Sequence, residues 1–275
     1  MGHPEAETAG VLQHGVTKDD QSRWLNRYKK NLAIFATAAP REQESILTGN
    51  YFYGEDVARL TGFPRYDRLE NHPEKLITIM PTWRDVLGGN DTYYKDGRKR
   101  YGEDFRETGY FRFYDALLND EGLRQAAEEA GYLLQFMPHP NILPVLHMFR
   151  QPKHVRFCSL EDSYRDIFSR SSLVVTDYSS AVFDFAYLEK PVIYCQFDKE
   201  EFFRNHLYSR GYFDYERDGF GEVEKDLEGT VARIADYMRN GCRMKEKYRE
   251  RVRNFFAYHD RRNSERVYEA IRSLE

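Results

Sequence analysis

Short apolar segments alternate with helical segments from residue 75 onward in this chain of 275 residues. The apolar segments are long enough for strands and short of a helix, and the stretches between them space their apolar residues as helices do. Such alternation is typical of a parallel sheet that is covered by helices on both faces. The pattern therefore predicts an α/β fold with a Rossmann-like parallel sheet. Its five strands are predicted at 75–83, 131–138, 155–158, 173–178 and 191–197.

The pattern is less regular ahead of residue 75, where the segment "NLAIFAT" (31–37) predicts one buried strand. Within the alternating region, residues 88–109 are predicted to form a polar, glycine-rich loop. Apolar spacing and cap residues predict the helices outside the alternating region. They are predicted over 19–30, 39–49 and 56–61, the last ending at the turn 62–65, and two long ones close the chain over about 222–240 and 243–273.

Composition excludes several classes of protein. A net charge of −4 and a pI near 6.1 argue against a bulk nucleic-acid binder, and the basic segments 27–30 and 97–102 are interpreted as solvated surface. The three cysteines are odd in number and form no CxxC pair, which argues against a zinc site or a disulfide framework. No apolar run approaches the roughly 20 residues of a membrane span, so any membrane contact is expected to be peripheral.

Polar side chains follow the predicted strands where each one ends. Thr82 and Arg84 follow the first strand, His139 follows the second, and Ser179 and Ser180 follow the fourth. In an open α/β sheet, ligands bind beyond the carboxyl ends of the strands. Hydroxyl, imidazole and guanidinium groups at that edge suit a phosphate group. The sequence therefore predicts a phosphate-binding site there.

The turn "TDYSS" at 176–180 leads from a strand into a predicted helix. Ser179 or Ser180 can cap that helix, and the same helix start suits a phosphate because its free N–H groups carry partial positive charge. Asp184 lies one turn further on. It can accept a hydrogen bond from a sugar or polyol hydroxyl, or it can be an ordinary acidic residue of a first helical turn.

Three further groups are ambiguous when taken singly. His139 lies between two prolines, which restrict the backbone at the strand end, and imidazole suits proton transfer near neutral pH. The segment "HGVTK" places His14 before Gly15, a residue that allows close backbone approach, and supplies Lys18 as a cation for phosphate. Arg65, in "GFPR", is a basic residue on a rigid turn.

These segments, in this order, resemble one known family. "HGVTK", "GFPRYD", "PTWRD", "PHP", the block from Thr176 to Asp198 and "RGYFD" (210–214) are similar to segments of the CDP-glycerol glycerophosphotransferases, the teichoic-acid primases and polymerases. The resemblance implies a GT-B fold, with two Rossmann-like domains and a cleft between them. It also implies transfer of glycerol phosphate or ribitol phosphate from a CDP-alditol to a hydroxyl of a lipid-linked wall or capsular polymer, with release of CMP.

The resemblance also assigns roles to individual residues. His14 matches the family's proposed base, and His139 matches a second essential histidine near the pyrophosphate or the leaving group. No metal and no cofactor beyond the CDP-alditol substrate is implied. The predicted donor-binding residues are Gly15, Lys18, Arg65, Thr82, Trp83, Arg84, Pro138, Ser179, Ser180 and Asp184.

The chain is expected to divide into a disordered lead (1–10), a remnant of the acceptor-side domain with a linker (11–70), and a donor-nucleotide domain with C-terminal helices (71–275). The expected partners are the donor and the lipid-linked polymer, in the cytoplasm at the inner face of the membrane, with no nucleic acid. Two alternatives stay open at this point: a nucleotide-sugar glycosyltransferase of the same fold, and a non-catalytic nucleotide-binding remnant.

Overall fold

The computed structural model describes residues 9–11, 15–84, 93–95, 98–100, 103–205 and 209–274. The strands in these ranges are β1 (Ala9–Val11), β2 (Leu32–Thr37), β3 (Ala58–Leu60), β4 (Leu76–Ile79), β5 (Tyr93–Lys95), β6 (Arg98–Arg100), β7 (Leu133–Phe136), β8 (Val155–Phe157), β9 (Leu173–Thr176), β10 (Val192–Cys195) and β11 (Gly221–Glu224). The α-helices are α1 (Pro40–Thr48), α2 (Gly109–Leu118), α3 (Glu121–Ala130), α4 (Tyr164–Arg170), α5 (Val182–Tyr187), α6 (Lys199–Asn205), α7 (Tyr215–Asp218), α8 (Leu227–Arg239), α9 (Glu246–Phe255) and α10 (Asn263–Arg272). Segments of 3-10 helix cover Pro64–Arg68, Glu103–Glu107 and Pro140–Met148.

A parallel sheet of six strands, in the order β11-β10-β9-β4-β7-β8, forms the centre of the molecule. All five predicted strands are in it, so the predicted α/β fold with a Rossmann-like sheet is confirmed. Every residue of β4, β9 and β10 is buried. This is expected of strands that have helices on both faces. The carboxyl ends of β4, β9 and β10 therefore meet at one edge of the sheet.

The sixth strand, β11, was predicted as the start of a helix, and that prediction is wrong. Its sequence is "GEVE", and three of its four residues are only partly buried because it lies at the edge of the sheet. An edge strand with one solvated face lacks the continuous apolar run that identified the other five. Its Gly221 lies so close to β10 that an added Cβ would be 1.7 Å from the carbonyl oxygen of Val192.

A second, smaller parallel sheet has the order β1-β2-β3. Strand β2 and helix α1 confirm the predictions for 31–37 and 39–49. The predicted helix over 19–30 is wrong, because these residues form turns in which the Asp20 carboxylate accepts from the Ser22 N–H. The predicted helix over 56–61 is also wrong, because Ala58–Leu60 pair with β2 as a strand.

The long helix predicted over 243–273 is interrupted at 256–262, and α10 returns to the first part of the chain. Asp67 accepts from the N–H groups of Asn263 and Ser264 at 2.9 and 2.7 Å, which fixes the start of α10 on the 3-10 turn Pro64–Arg68. The N–H of Ala257 also donates to the carbonyl of Ala38 at 3.0 Å. The C-terminal helices thus tie the two sheets together, and the predicted domain boundary near residue 70 stays a prediction.

Candidate active site

A pocket of about 630 Å³ lies beside the carboxyl edge of the large sheet. Five of the residues predicted from sequence line it: Arg65, His139, Ser179, Ser180 and Asp184. They come from three separate segments of the chain, so only the tertiary fold brings them together. The remaining lining residues include two more cations and the side chains of α4; they are Arg68, Leu69, Tyr164, Arg165, Phe168 and Ala181.

The Ser-Ser turn departs from the predicted cap in its details. Helix α5 begins at Val182, and the residue before it, Ala181, makes no side-chain cap bond. The Ser179 hydroxyl accepts from the N–H of Ala181 at 3.3 Å, so it orders the turn ahead of the helix. Ser180 instead lies against another part of the chain. The two serines therefore have different local contacts, which the sequence left undecided.

That other part of the chain is the glycine of the "HGVTK" segment. A Cβ added to Gly15 would be 2.8 Å from the Ser180 hydroxyl oxygen, so a side chain at residue 15 requires Ser180 to move. His14 lies outside the described residues, and its predicted role as base stays a prediction. The close contact of Gly15 with Ser180 nonetheless brings this segment to the rim of the pocket.

A buried carboxylate fixes the next residues of the same segment. Glu42, in the first turn of α1, is fully buried; one carboxylate oxygen accepts from the N–H of Thr17 at 2.6 Å and the other from Ala38 at 2.7 Å. Burial raises the pKa of Glu42 to about 7. Sequence reasoning missed this residue, because an acid in a first helical turn is ordinary until its distant partner is known.

Lys18 does not line the pocket. Its side chain is buried, forms an ion pair with Asp19, and lies over the ring of Tyr215 at 5.4 Å from the centroid. The predicted contact of Lys18 with a donor phosphate stays a prediction. In this structure its charge is engaged by its neighbour in sequence.

Arg65 and Asp184, which are 119 residues apart in sequence, form a two-pronged ion pair at the pocket wall. The Arg65 Nε donates to Asp184 Oδ2 at 2.5 Å and its Nη2 donates to Oδ1 at 2.9 Å. Burial raises the pKa of Asp184, although the hydrogen bonds and charge of Arg65 oppose the rise. Both carboxylate oxygens are thus used to orient the guanidinium, and the hydroxyl contact predicted for Asp184 stays a prediction.

His139 is half-buried at the start of the 3-10 helix Pro140–Met148, directly after the buried Pro138. Its Nδ1 accepts from the N–H of Asn141 at 3.2 Å, which leaves the proton of the neutral ring on Nε2. Burial lowers the pKa of His139 to about 4, with the charge of Asp177 opposing the shift. Near neutral pH the ring is therefore an uncharged hydrogen-bond donor. Trp83 flanks it, with ring centroids 5.8 Å apart.

Arg84 is buried behind the pocket. Its Nε donates to Asp198 and its Nη2 pairs with Asp177, both at 2.8 Å, and its Nη1 donates to the carbonyl of Thr82 at 2.6 Å. Asp177 directly follows β9 and Asp198 lies three residues after the end of β10, so one guanidinium joins the segments that follow β4, β9 and β10. The direct donor contact predicted for Arg84 stays a prediction; its geometry is that of a residue that supports the site.

Asp177 is the centre of this network, and sequence reasoning gave it no role. It is fully buried; Oδ1 accepts from the N–H groups of Thr82 and Tyr178 at 2.8 and 2.6 Å, and Oδ2 accepts from the Tyr114 hydroxyl at 3.0 Å. Asp177 thus fixes the Thr82 backbone next to the Ser-Ser turn. The available signal was an acid at a strand end, two residues before the first of two adjacent serines.

Within the described ranges, no cluster of three or more histidine, cysteine or acidic side chains is arranged to hold a metal ion. None of the helices in the same ranges combines the length and the apolar character that crossing a membrane requires.

The chain is similar in sequence to several known proteins. The sequence profile described as CDP-Glycerol:Poly(glycerophosphate) glycerophosphotransferase matches residues 1–273. The minor teichoic acid biosynthesis protein GgaB of Bacillus subtilis is 42% identical over 96% of this chain and 29% of its own length. A teichoic acid poly(glycerol phosphate) polymerase of the same organism is 28% identical over 63% of this chain and 23% of its own length.

The fold agrees with a solved structure. The wall teichoic acid polymerase TagF matches over 92% of this chain and 62% of the TagF chain, with a TM-score of 0.61 at 17% identity. The chain thus spans less than a third of the two curated relatives and under two thirds of TagF. From the match of the family profile and the identity to GgaB, the chain belongs to the CDP-glycerol:poly(glycerophosphate) glycerophosphotransferase family.

Proposed function

We propose that the pocket binds a CDP-alditol, CDP-glycerol or CDP-ribitol, as the donor of a polyol phosphate. The observation that carries this proposal is the convergence of Arg65, His139, Ser179 and Ser180 on one pocket of about 630 Å³. That volume is within the roughly 300–1,000 Å³ of small-molecule sites. Two hydroxyls, an imidazole N–H and a guanidinium are suited to the oxygens of a pyrophosphate.

The proposed reaction is a phosphoryl transfer. The hydroxyl oxygen of the polymer end attacks the phosphorus atom of the polyol phosphate and forms a new phosphodiester bond. The bond from that phosphorus to the bridging oxygen of the pyrophosphate breaks, and CMP leaves with the electron pair. The hydroxyl proton passes to a base, for which we propose His14. Catalysis of this kind depends mainly on positioning and on stabilising charge.

His139 is proposed to stabilise the charge that develops on the departing CMP. Its Nδ1 is held by Asn141, so the Nε2–H is the donor available to the pyrophosphate. Because the ring is uncharged at neutral pH, it can donate this hydrogen bond without first taking up a proton. Negative charge from the bound pyrophosphate would raise the pKa of the ring, and the histidine can then supply a proton as the bridging oxygen leaves.

The share of the relatives that this chain covers sets the scope of the proposal. It spans 29% of GgaB, and we propose that it is the donor-binding part of a transferase that extends wall teichoic acid or a capsular polymer. We propose that the acceptor is lipid-linked and that transfer takes place on the cytoplasmic side, at the inner face of the membrane.

Donor binding is tested directly by calorimetry with CDP-glycerol. Replacing His139 by Ala removes one hydrogen bond to a charged group, worth about 1.5–3 kcal/mol, and is expected to weaken binding about tenfold to a hundredfold. Ser179→Ala is expected to weaken it less, by about tenfold, because it removes a neutral hydroxyl. His147→Ala is the matched control, because His147 is exposed on the same 3-10 helix and outside the pocket.

Two outcomes contradict the proposal. Absence of heat from CDP-glycerol and CDP-ribitol at millimolar concentration removes donor binding by this chain. Binding of UDP-sugars in preference to CDP-alditols indicates the nucleotide-sugar glycosyltransferase instead. An unchanged affinity in His139→Ala with intact donor binding removes His139 from the site and leaves the substrate class standing.

A further inference from the structure

The segment after the "HGVTK" motif exposes cations and aromatic rings on one surface. We call the side chains of Arg23, Trp24, Arg27, Tyr28, Lys29, Lys30 and Phe52 the basic-aromatic surface; all seven are exposed. Tyr28 is 82% exposed, Phe52 52% and Trp24 44%, although rings of this size are usually buried at least in part. Four cations grouped together contrast with the net charge of −4 of the whole chain. Such a surface is unusual for a solvated turn.

Several contacts hold this surface in one arrangement. Tyr28 and Phe52 meet edge to face with ring centroids 5.2 Å apart, the N–H of Arg27 donates to the carbonyl of Tyr51 at 2.9 Å, and the Tyr53 hydroxyl donates to the carbonyl of Lys30 at 2.8 Å. Leu25, in the middle of the segment, is 2% exposed and packs in the core of the small sheet. The cations therefore project from an ordered backbone.

Phe52 has an unfavourable backbone conformation that burial of its side chain does not explain. Its φ is +59°, a left-handed conformation that non-glycine residues rarely adopt, and yet its ring is half exposed. Unfavourable backbone conformations persist only where the surrounding structure holds them, and they concentrate at binding sites. Here the strained residue presents an aromatic face beside the cations.

Six of the seven residues of the basic-aromatic surface follow Gly15 in one stretch of chain, residues 15–30. Tyr51, whose hydroxyl accepts from the N–H of Gln21 at 2.8 Å, lines a second pocket of about 310 Å³ together with Asp19 and Asp20. Asp19 follows Gly15 by four residues, and Gly15 lies against Ser180 in the donor pocket. Along the chain, residues 15–30 therefore connect Gly15 at the donor pocket, Asp19 and Asp20 in the second pocket, and the cations.

We propose that the basic-aromatic surface binds the growing acceptor, a polyanion of repeating polyol phosphates, and leads its end toward the donor pocket; this inference rests on the proposed function. The cations neutralise successive phosphodiesters, as basic patches do on other polyphosphates. The aromatic faces cover the apolar C–H groups of the polyol units. Between the cations and the donor pocket, the carboxylates of the second pocket accept hydrogen bonds from the polyol hydroxyls.

The test measures binding of a synthetic glycerol phosphate oligomer to the whole chain without donor. The double variant Arg27→Glu/Lys30→Glu is expected to weaken binding about tenfold or more, and to reduce the slope of log affinity against log salt by about 1 to 2. Arg243→Glu/Lys247→Glu makes the same change in net charge at two exposed cations elsewhere and is expected to leave the affinity unchanged. Equal losses in both double variants would overturn the proposal.

A second set of measurements tests the contribution of the aromatic ring and the alternative that the surface binds a membrane. Phe52→Asn keeps a residue that tolerates the left-handed backbone. This substitution is expected to weaken binding of the glycerol phosphate oligomer several-fold. Binding of inorganic polyphosphate, which has no C–H groups, is expected to stay unchanged. If the Arg27/Lys30 variant loses binding only to vesicles of phosphatidylglycerol and phosphatidylcholine, the surface docks on a membrane and the proposal is wrong. CDP-glycerol binding is measured separately, so failure of the donor site does not decide this result.

Discussion

Replacing Arg84 by Met is expected to lower the free energy of unfolding by about 3–5 kcal/mol, which is the usual cost of removing one partner from a buried ion pair. The variant leaves the carboxylates of Asp177 and Asp198 without the guanidinium that joins them. Asp177 cannot relax into water, because it is fully buried among the ends of the strands. Urea unfolding at neutral pH measures the loss.

Two comparisons make that result specific. Arg165→Met breaks the half-exposed ion pair with Glu70, and a loss of at most about 1 kcal/mol is expected there. Arg84→Lys keeps the charge but not the planar fork, so it should fall between Met and wild type. A loss in Arg84→Met as small as that in Arg165→Met would show that the Arg84 network does not support the strand ends.

The network also bears on the site. Asp177 accepts from the N–H groups of Thr82 and Tyr178, the residue directly before Ser179. When Arg84 is lost, the carboxylate is expected to shift and to move the Ser-Ser turn with it. Donor affinity should therefore fall in Arg84→Lys even under conditions where the protein is fully folded. This would distinguish support of the site from a purely global effect on stability.

Glu42 is expected to make the stability of the protein fall as the pH rises from about 4.5 to 7. Its pKa is raised by burial from 4.5 to about 7 in the folded state, so the folded protein holds this proton where the unfolded chain has released it. The group's favourable contribution is complete below pH 4.5 and is lost as the pH passes 7. A shift of this size corresponds to about 3 kcal/mol.

The comparison of wild type with Glu42→Gln isolates this effect. His139 acts in the opposite direction, because burial lowers its pKa to about 4 and stability then rises with pH between about 4 and 6.5. Glu42→Gln retains His139, so the difference in unfolding free energy between the two proteins reports Glu42 alone. That difference should change by about 3 kcal/mol between pH 4.5 and 8. A difference that stays flat between pH 4.5 and 8 would contradict a buried, protonated Glu42.

The amino-acid sequence by itself determined the fold class and the ends of the strands that carry chemistry. Strands β4, β9 and β10 were predictable because burial on both faces requires continuous apolar runs, which are a local property of the chain. For the same reason β11 was missed, since an edge strand with a solvated face carries no such run. The turns at 19–30 were missed because the side chain of Asp20 competes with helix formation and Ser209 supplies a partner from far away in sequence.

Only the tertiary structure decided which predicted residues share one pocket and which support it from behind. Arg65 meets Asp184 across 119 residues, and Gly15 meets Ser180 across the two sheets. Lys18 and Arg84 matched the pattern of phosphate contacts equally well, yet their charges are engaged by Asp19 and by Asp177 and Asp198. A cation's partner depends on which strand ends the fold places side by side, and that arrangement is long-range information absent from any single segment.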